Sequence, residues 1–167
     1  AVRPQRLRDV ETPRLSRLST GIGEFDRVLG GGLVPGSLVL LGGSPGIGKS
    51  TLTGMAMGNL AGAGHRTLYV SGEESAAQVK LRAARLPGAA LDVPVLAETD
   101  LETVVATILA ERPEVCVIDS VQTLYAAELT GAPGSVGQVR EVAGRIARVA
   151  KETGTAVLLV GHVTKEG

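Results

Sequence analysis

The sequence predicts an α/β fold: a mostly parallel sheet with helices on both faces. Short apolar runs of strand length alternate with stretches of helical periodicity along most of the chain. The runs SLVLL, EVCVID and TAVLLV are near-continuously apolar, as strands covered on both faces are. Each pair of runs is separated by enough chain for a right-handed helical crossover.

The elements follow in order. Residues 1–18 carry Pro4 and Pro13 and no sustained periodicity, and they read as a tether; the folded core is expected over 19–167. In STGIGEFDRVLGGGL, Ile22, Phe25 and Leu29 recur at helical spacing, and Gly30 to Gly32 stop the helix. SLVLL (37–41) is a strand expected to be buried on both faces. The next helix should bury Leu52, Met55, Ala56 and Leu60, with Gly54 and Gly58 each lowering its propensity by roughly 1 kcal/mol. TLYVS (67–71) is a strand, and Ser75 with Gln78 has capping-box spacing for a helix to about Leu86. VPVLA is a short strand; Thr99 and Glu102 repeat the capping signal before a helix burying Leu101, Val104, Val105, Ile108 and Leu109. EVCVID (114–119) is a central strand, and a Gly- and Pro-rich loop covers 126–137. Ser135 and Gln138 read as the cap of a helix through Val139, Val142, Ile146 and Val149, before the final strand at 155–160.

Composition narrows the function classes. Of 167 residues, 44% are hydrophobic and 20% charged, and no run approaches the ~18 apolar residues of a membrane span. The first nineteen residues lack the apolar stretch of a secretory signal, so a cytoplasmic protein is expected. Seventeen basic residues balance seventeen acidic ones, and net charge points to no nucleic-acid partner. Phe25, Tyr69 and Tyr125 are the only aromatics, too few for a base-stacking platform. The single cysteine, Cys116, sits within an apolar strand and is given no role; His65, in the turn GAGHR, is expected to be exposed.

Chemistry enters at GSPGIGKS, from Gly43 through Ser44, Pro45, Gly46, Ile47 and Gly48 to Lys49 and Ser50, between a predicted strand and a predicted helix. Glycines at this spacing let the backbone curl round phosphates with its N–H groups inward, and the helix amino terminus adds its dipole. Lys49 would reach the β- and γ-phosphates, the Ser50 hydroxyl would ligate Mg2+, and Thr51 would lie near the α-phosphate. The ligand expected is ATP or ADP with Mg2+. Asp119 ends the strand VCVID at the carboxyl edge, where an open α/β sheet holds its ligands, and is the second candidate for the metal. Glu73 and Glu74 follow TLYVS at the same edge, and either can orient or deprotonate the attacking water. His162, just past the last strand, is placed to sense the γ-phosphate.

Taken together, STGIGEFDRVLGGGLVPGSLVLLGGSPGIGKSTL, YVSGEES, VIDSVQTLY, GAPGSVGQVRE and GHVTKEG resemble the ATPase core of the RadA (Sms) family of bacterial DNA-repair proteins, from about Leu18 to Gly167. The resemblance implies a RecA-like P-loop core with one strand between those bearing the P-loop and Asp119. It aligns Glu73 with the catalytic glutamate and keeps Glu74 in reserve. It also implies a homohexameric ring that hydrolyses ATP while acting on single-stranded DNA and branched recombination intermediates. DNA would meet two loops, 126–137 and one starting at 163–167, which makes Arg140 and Lys165 candidate contacts. The family's four-cysteine zinc finger, K-N-R-F-G motif and Lon-like domain do not occur in these residues, so the expectation is a core cut short at its carboxyl end with one sheet edge open. A reading from a different class is a nucleotide-dependent assembly switch in which hydrolysis is incidental.

Overall fold

A computed structural model describes residues 2–11, 16–43 and 48–162. Its centre is a five-stranded sheet of order β1-β5-β4-β2-β3, built from β1 (Leu38–Leu41), β2 (Thr67–Ser71), β3 (Val95–Ala97), β4 (Val115–Asp119) and β5 (Ala156–Val160). Every pairing is parallel. The intervening helices are α1 (Gly23–Val28), α2 (Lys49–Gly62), α3 (Ala76–Ala83), α4 (Leu101–Glu111) and α5 (Val136–Thr153). Among the described residues no helix is long and apolar enough to cross a membrane.

Alternation along the central strands makes two cores. Cys116 and Ile118 of β4, with Leu68, Val70, Val157 and Leu159, pack under α4 and α5. Val115 and Val117, with Tyr69, Leu158 and Val160, pack under Phe25 of α1 and Ala56, Met57 and Leu60 of α2. The α/β sheet with helices on both faces is therefore as the sequence predicts, and β5 lies between the strand that precedes the P-loop and the strand that ends in Asp119. Buried Cys116 is packing material, its thiol pushed up to about 12 by burial.

Local readings differ in instructive places. β1 is an edge strand, not one buried on both faces, and Leu40 is 65% exposed. An apolar run reports what a strand can bury and says nothing of how many neighbours it has. On α2 the buried methionine is Met57, while Met55 is half-buried, and Leu109 of α4 is 41% exposed. The capping box at Ser75 and Gln78 forms as predicted. Thr99 is not the cap of α4; Asp100 is, its carboxylate accepting from the Thr103 N–H at 3.1 Å. Ser135 occupies the cap position of α5 as predicted but makes no side-chain cap bond, and the Gln138 side chain is buried against Ala126 and Leu129 rather than reaching back to it. His65 is half-buried, 2.8 Å from the Glu114 carboxylate. Before α1, Leu18 pairs antiparallel with Leu33, and Arg17 donates to the Leu29 carbonyl at 3.2 Å.

The glycines of α2 have a packing reason. A Cβ on Gly58 would lie 2.9 Å from the Ala90 nitrogen and 3.0 Å from its Cα, in the turn that crosses the helix. Helix propensity alone favours Gly58→Ala by about 1 kcal/mol. The obstacle is backbone, which cannot swing aside, so we expect a net loss of about 1–3 kcal/mol, read as a lower urea midpoint at unchanged slope.

Candidate active site

Parallel pairing in one register brings the carboxyl ends of four strands into a row: Leu41 beside Val160, Val160 beside Asp119, Asp119 beside Ser71. Whatever follows each strand therefore opens onto one edge. After β1 comes the P-loop, after β5 Gly161 and His162, after β4 Ser120, and after β2 Gly72 and Glu73. Chain segments more than a hundred residues apart meet there through sheet register alone.

Gly43 has φ 147° and Gly48, the residue that opens α2, φ 62°, both in the region that favours glycine. Ser44, Pro45, Gly46 and Ile47 of the predicted loop lie outside the described residues. Lys49 starts α2 and its ammonium donates to the Gly43 carbonyl at 2.9 Å and the Gly161 carbonyl at 2.8 Å, with His162 Nδ1 at 3.3 Å. An ammonium has donors only, so Nδ1 accepts and the imidazole proton sits on Nε2. That N–H points at Glu73 Oε1, 2.8 Å away. Gln122 fixes the histidine from the other side, accepting from its backbone N–H at 3.2 Å and donating to its carbonyl at 3.1 Å. Glu73 Oε1 also accepts from the Ser120 hydroxyl at 3.0 Å.

Asp119 is 4% exposed and faces α2, where the Ser50 hydroxyl donates to its Oδ2 at 2.9 Å. Tyr69 donates to the same oxygen at 3.1 Å. Burial first, and then the Asp119 charge, raise the Tyr69 pKa above its ordinary value, which keeps the phenol a donor. Glu74, although adjacent in sequence to Glu73, is turned away and ion-paired with Arg82. The Ser71 hydroxyl bridges the Glu74 N–H at 3.0 Å and the Glu74 carbonyl at 2.9 Å, which sets this turn. A Cβ on Gly72 would sit 2.1 Å from Thr123 Oγ1, the steric reason for a small residue before Glu73.

The donor set suits Mg2+. Ligand atoms of Glu73, Asp119 and His162 all lie within 4.8 Å of one another. Both histidine nitrogens are already engaged, by Lys49 and Glu73, so the remaining donors are the Ser50 hydroxyl and carboxylate oxygens, hard ligands for a hard cation. A cleft of about 110 Å³ is lined by Gly48, Lys49, Ser50, Thr51, Val160 and His162. Clefts that enclose whole small molecules run from about 300 Å³ upward, so this one accommodates only a polar tail such as a phosphate chain. A larger apolar cleft of about 320 Å³, between α2, α3 and the turn at Ala90, contains none of these groups except Tyr69 and Arg82 in its wall, and is not the phosphate site.

The structure thus brings Lys49, Ser50, Asp119, Glu73 and His162 together, with Thr51 exposed on the first turn of α2. Glu74 does not join them. Arg140 is exposed near the start of α5 and makes no hydrogen bond to the site residues among the described residues, and Lys165 lies outside the described residues. Sequence reasoning missed Tyr69, Arg82, Ser120 and Gln122; a phenol and a guanidinium one helix apart, and a glutamine shortly after the strand-end aspartate, were the only signals.

Comparison with known proteins gives the family. A family profile described as "AAA domain" matches residues 2–167. DNA repair protein RadA of Bacillus subtilis (strain 168) is 49% identical over 165 residues, covering 99% of this chain and 36% of that protein. RadA of Pseudomonas aeruginosa is 53% identical over 161 residues, covering 96% and 35%. RadA of Escherichia coli (strain K12) is 49% identical over 163 residues, covering 98% and 35%. The chain spans about a third of the length of these relatives. The resemblance carried by the sequence motifs holds over nearly all of the chain, which belongs to the AAA domain family with the RadA proteins as its relatives.

Proposed function

We propose that the chain is the ATP-binding and hydrolysing core of a cytoplasmic DNA-repair motor that acts on single-stranded DNA and branched recombination intermediates as a hexameric ring. The observation that carries the reading is the meeting of Lys49, Ser50, Asp119 and Glu73 at one sheet edge, beside a cleft sized for phosphates. The RadA relatives, named as DNA repair proteins, support the DNA-repair part of the reading.

Each residue has a task that its surroundings permit. The backbone from Gly43 to Gly48 and the start of α2 cradle the phosphates. Lys49 exchanges a carbonyl partner for a phosphate oxygen and offsets charge on the transferred phosphoryl group. Ser50 and Asp119 would hold Mg2+, which supplies electrostatic stabilisation of the β- and γ-phosphate oxygens. Glu73, held by Ser120 and His162, orients the attacking water and takes its proton. His162 touches both Lys49 and Glu73, so it registers what Lys49 binds. DNA would lie against loop 126–137 and the chain beyond 162, with Arg140 and Lys165 as contacts.

The test of the nucleotide half is Lys49→Ala. We expect its affinity for a fluorescent ATP analogue to fall by about a hundredfold, the loss of a charge-assisted contact worth about 3 kcal/mol. Binding indistinguishable from wild type overturns it. A second reading, an assembly switch with incidental hydrolysis, draws on the contact of Lys49 with Gly161, through which nucleotide binding would displace the chain leading out of the site. Assembly state with ATP, ADP and no nucleotide, set beside turnover with and without single-stranded DNA, separates the two.

A further inference from the structure

We propose that Tyr69 and Arg82 are positioning residues for Asp119, forming a brace that sets the metal affinity of the nucleotide site. The proposal rests on the nucleotide-binding reading above. Tyr69 is 3% exposed, and its hydroxyl is hydrogen-bonded to Arg82 Nη2 at 3.1 Å and to Asp119 Oδ2 at 3.1 Å, with the Thr53 hydroxyl also close by. A guanidinium cannot accept a hydrogen bond, so the phenol oxygen accepts from Arg82 and the phenol proton is left for Asp119. The direction of the chain is therefore fixed. A cation behind the phenol polarises it and strengthens its donation.

Ser50 donates to the same Asp119 oxygen from α2, so Oδ2 is gripped from two elements. Among the described residues no donor reaches Oδ1. A carboxylate held by one oxygen has little freedom to turn about its own axis, and its other oxygen is presented in one direction. Arg82 is in turn held by Glu74, and its Cζ stands 5.9 Å from the centre of the Tyr69 ring. The brace thus runs from Glu74 through Arg82 and Tyr69 to Asp119. It gives Glu74 a task distinct from that of Glu73: one glutamate faces the reacting groups, and the next anchors the support of the metal carboxylate. Partners of metal ligands are worth about 10–100-fold in metal affinity in proteins generally.

A phenol that merely satisfies a buried acceptor would affect stability and leave metal dependence alone. Binding of a fluorescent ATP analogue to the 167-residue chain, measured with Mg2+ and with EDTA, separates these roles. In Tyr69→Phe and in Arg82→Gln we expect the enhancement of affinity by Mg2+ to fall about tenfold, with affinity in EDTA unchanged. The Arg82 side chain is 23% exposed, so its replacement tests the brace even where Tyr69→Phe does not fold. Wild-type enhancement in folded variants overturns the brace alone. A wild-type chain that binds no better than Lys49→Ala overturns the nucleotide reading, and the brace with it.

Discussion

Glu73→Gln is expected to keep ATP binding and to lower turnover by about 10²–10⁴-fold, the usual contribution of a positioned general base. Glutamine keeps the carbonyl oxygen that accepts from Ser120 and from His162 Nε2, so the local hydrogen bonds survive. It loses the ability to take a proton. Phosphate release measured beside equilibrium binding distinguishes this outcome from a general disturbance of the site, which would weaken both. Glu74→Gln should retain most of the turnover, because Glu74 is directed at Arg82 and its amide replacement still accepts from the guanidinium. Wild-type turnover in Glu73→Gln, with loss in Glu74→Gln, would transfer the role to Glu74.

The contrast between these neighbours shows where sequence reasoning stops. That a carboxylate follows β2 at the carboxyl edge was legible from TLYVS and the two glutamates after it. Which glutamate faces the site depends on a local turn set by the Ser71 hydroxyl and on the approach of Thr123, fifty-one residues further along the chain, to Gly72. Asp119 and Ser50 were readable because each sits at a motif position; their 2.9 Å contact is what the two motifs require of each other. Tyr69 carried no such mark. It reads as one more apolar strand residue, and its polar tip matters only because parallel register puts Asp119 on the adjacent strand, two residues beyond its partner Val117 and on the same face.

Strands were read well and their neighbours less well, for a physical reason. Hydropathy reports burial summed over all sources, so a central strand such as β4 and an edge strand such as β1 look alike when both are rich in leucine and valine. Helix faces failed where a helix packs on more than the sheet. α2 also meets the turn at Ala90 through Gly58, and this second contact shifts the buried face from Met55 to Met57. The capping signal chose the wrong residue at α4, where Asp100 is the acceptor, and at α5 it placed Ser135 correctly but not the capping box, because the glutamine is used elsewhere.

That use gives the largest expected effect on stability. Gln138 is 1% exposed; its amide accepts from the Ala126 N–H at 2.8 Å and donates to the carbonyls of Ala126 at 3.1 Å and Leu129 at 2.9 Å. One side chain thus takes the place of a strand partner for the segment leaving β4, and fixes the start of loop 126–137. Gln138→Leu preserves volume and removes only these bonds. Burying leucine in place of an amide is favourable, but the backbone groups at Ala126, 7% exposed, remain without their partner. Leaving such groups buried and unpaired costs about 1–3 kcal/mol each, so two or more together outweigh the gain and a net loss of about 3 kcal/mol is expected. Urea unfolding measures the loss, and limited proteolysis should show faster cleavage within 126–131. Val136→Ala on the same helix, at a site 72% exposed, should change neither. A Gln138→Leu chain with the wild-type midpoint and cleavage rate would mean that the loop is held by its own turns, and that the buried amide contributes nothing to its order.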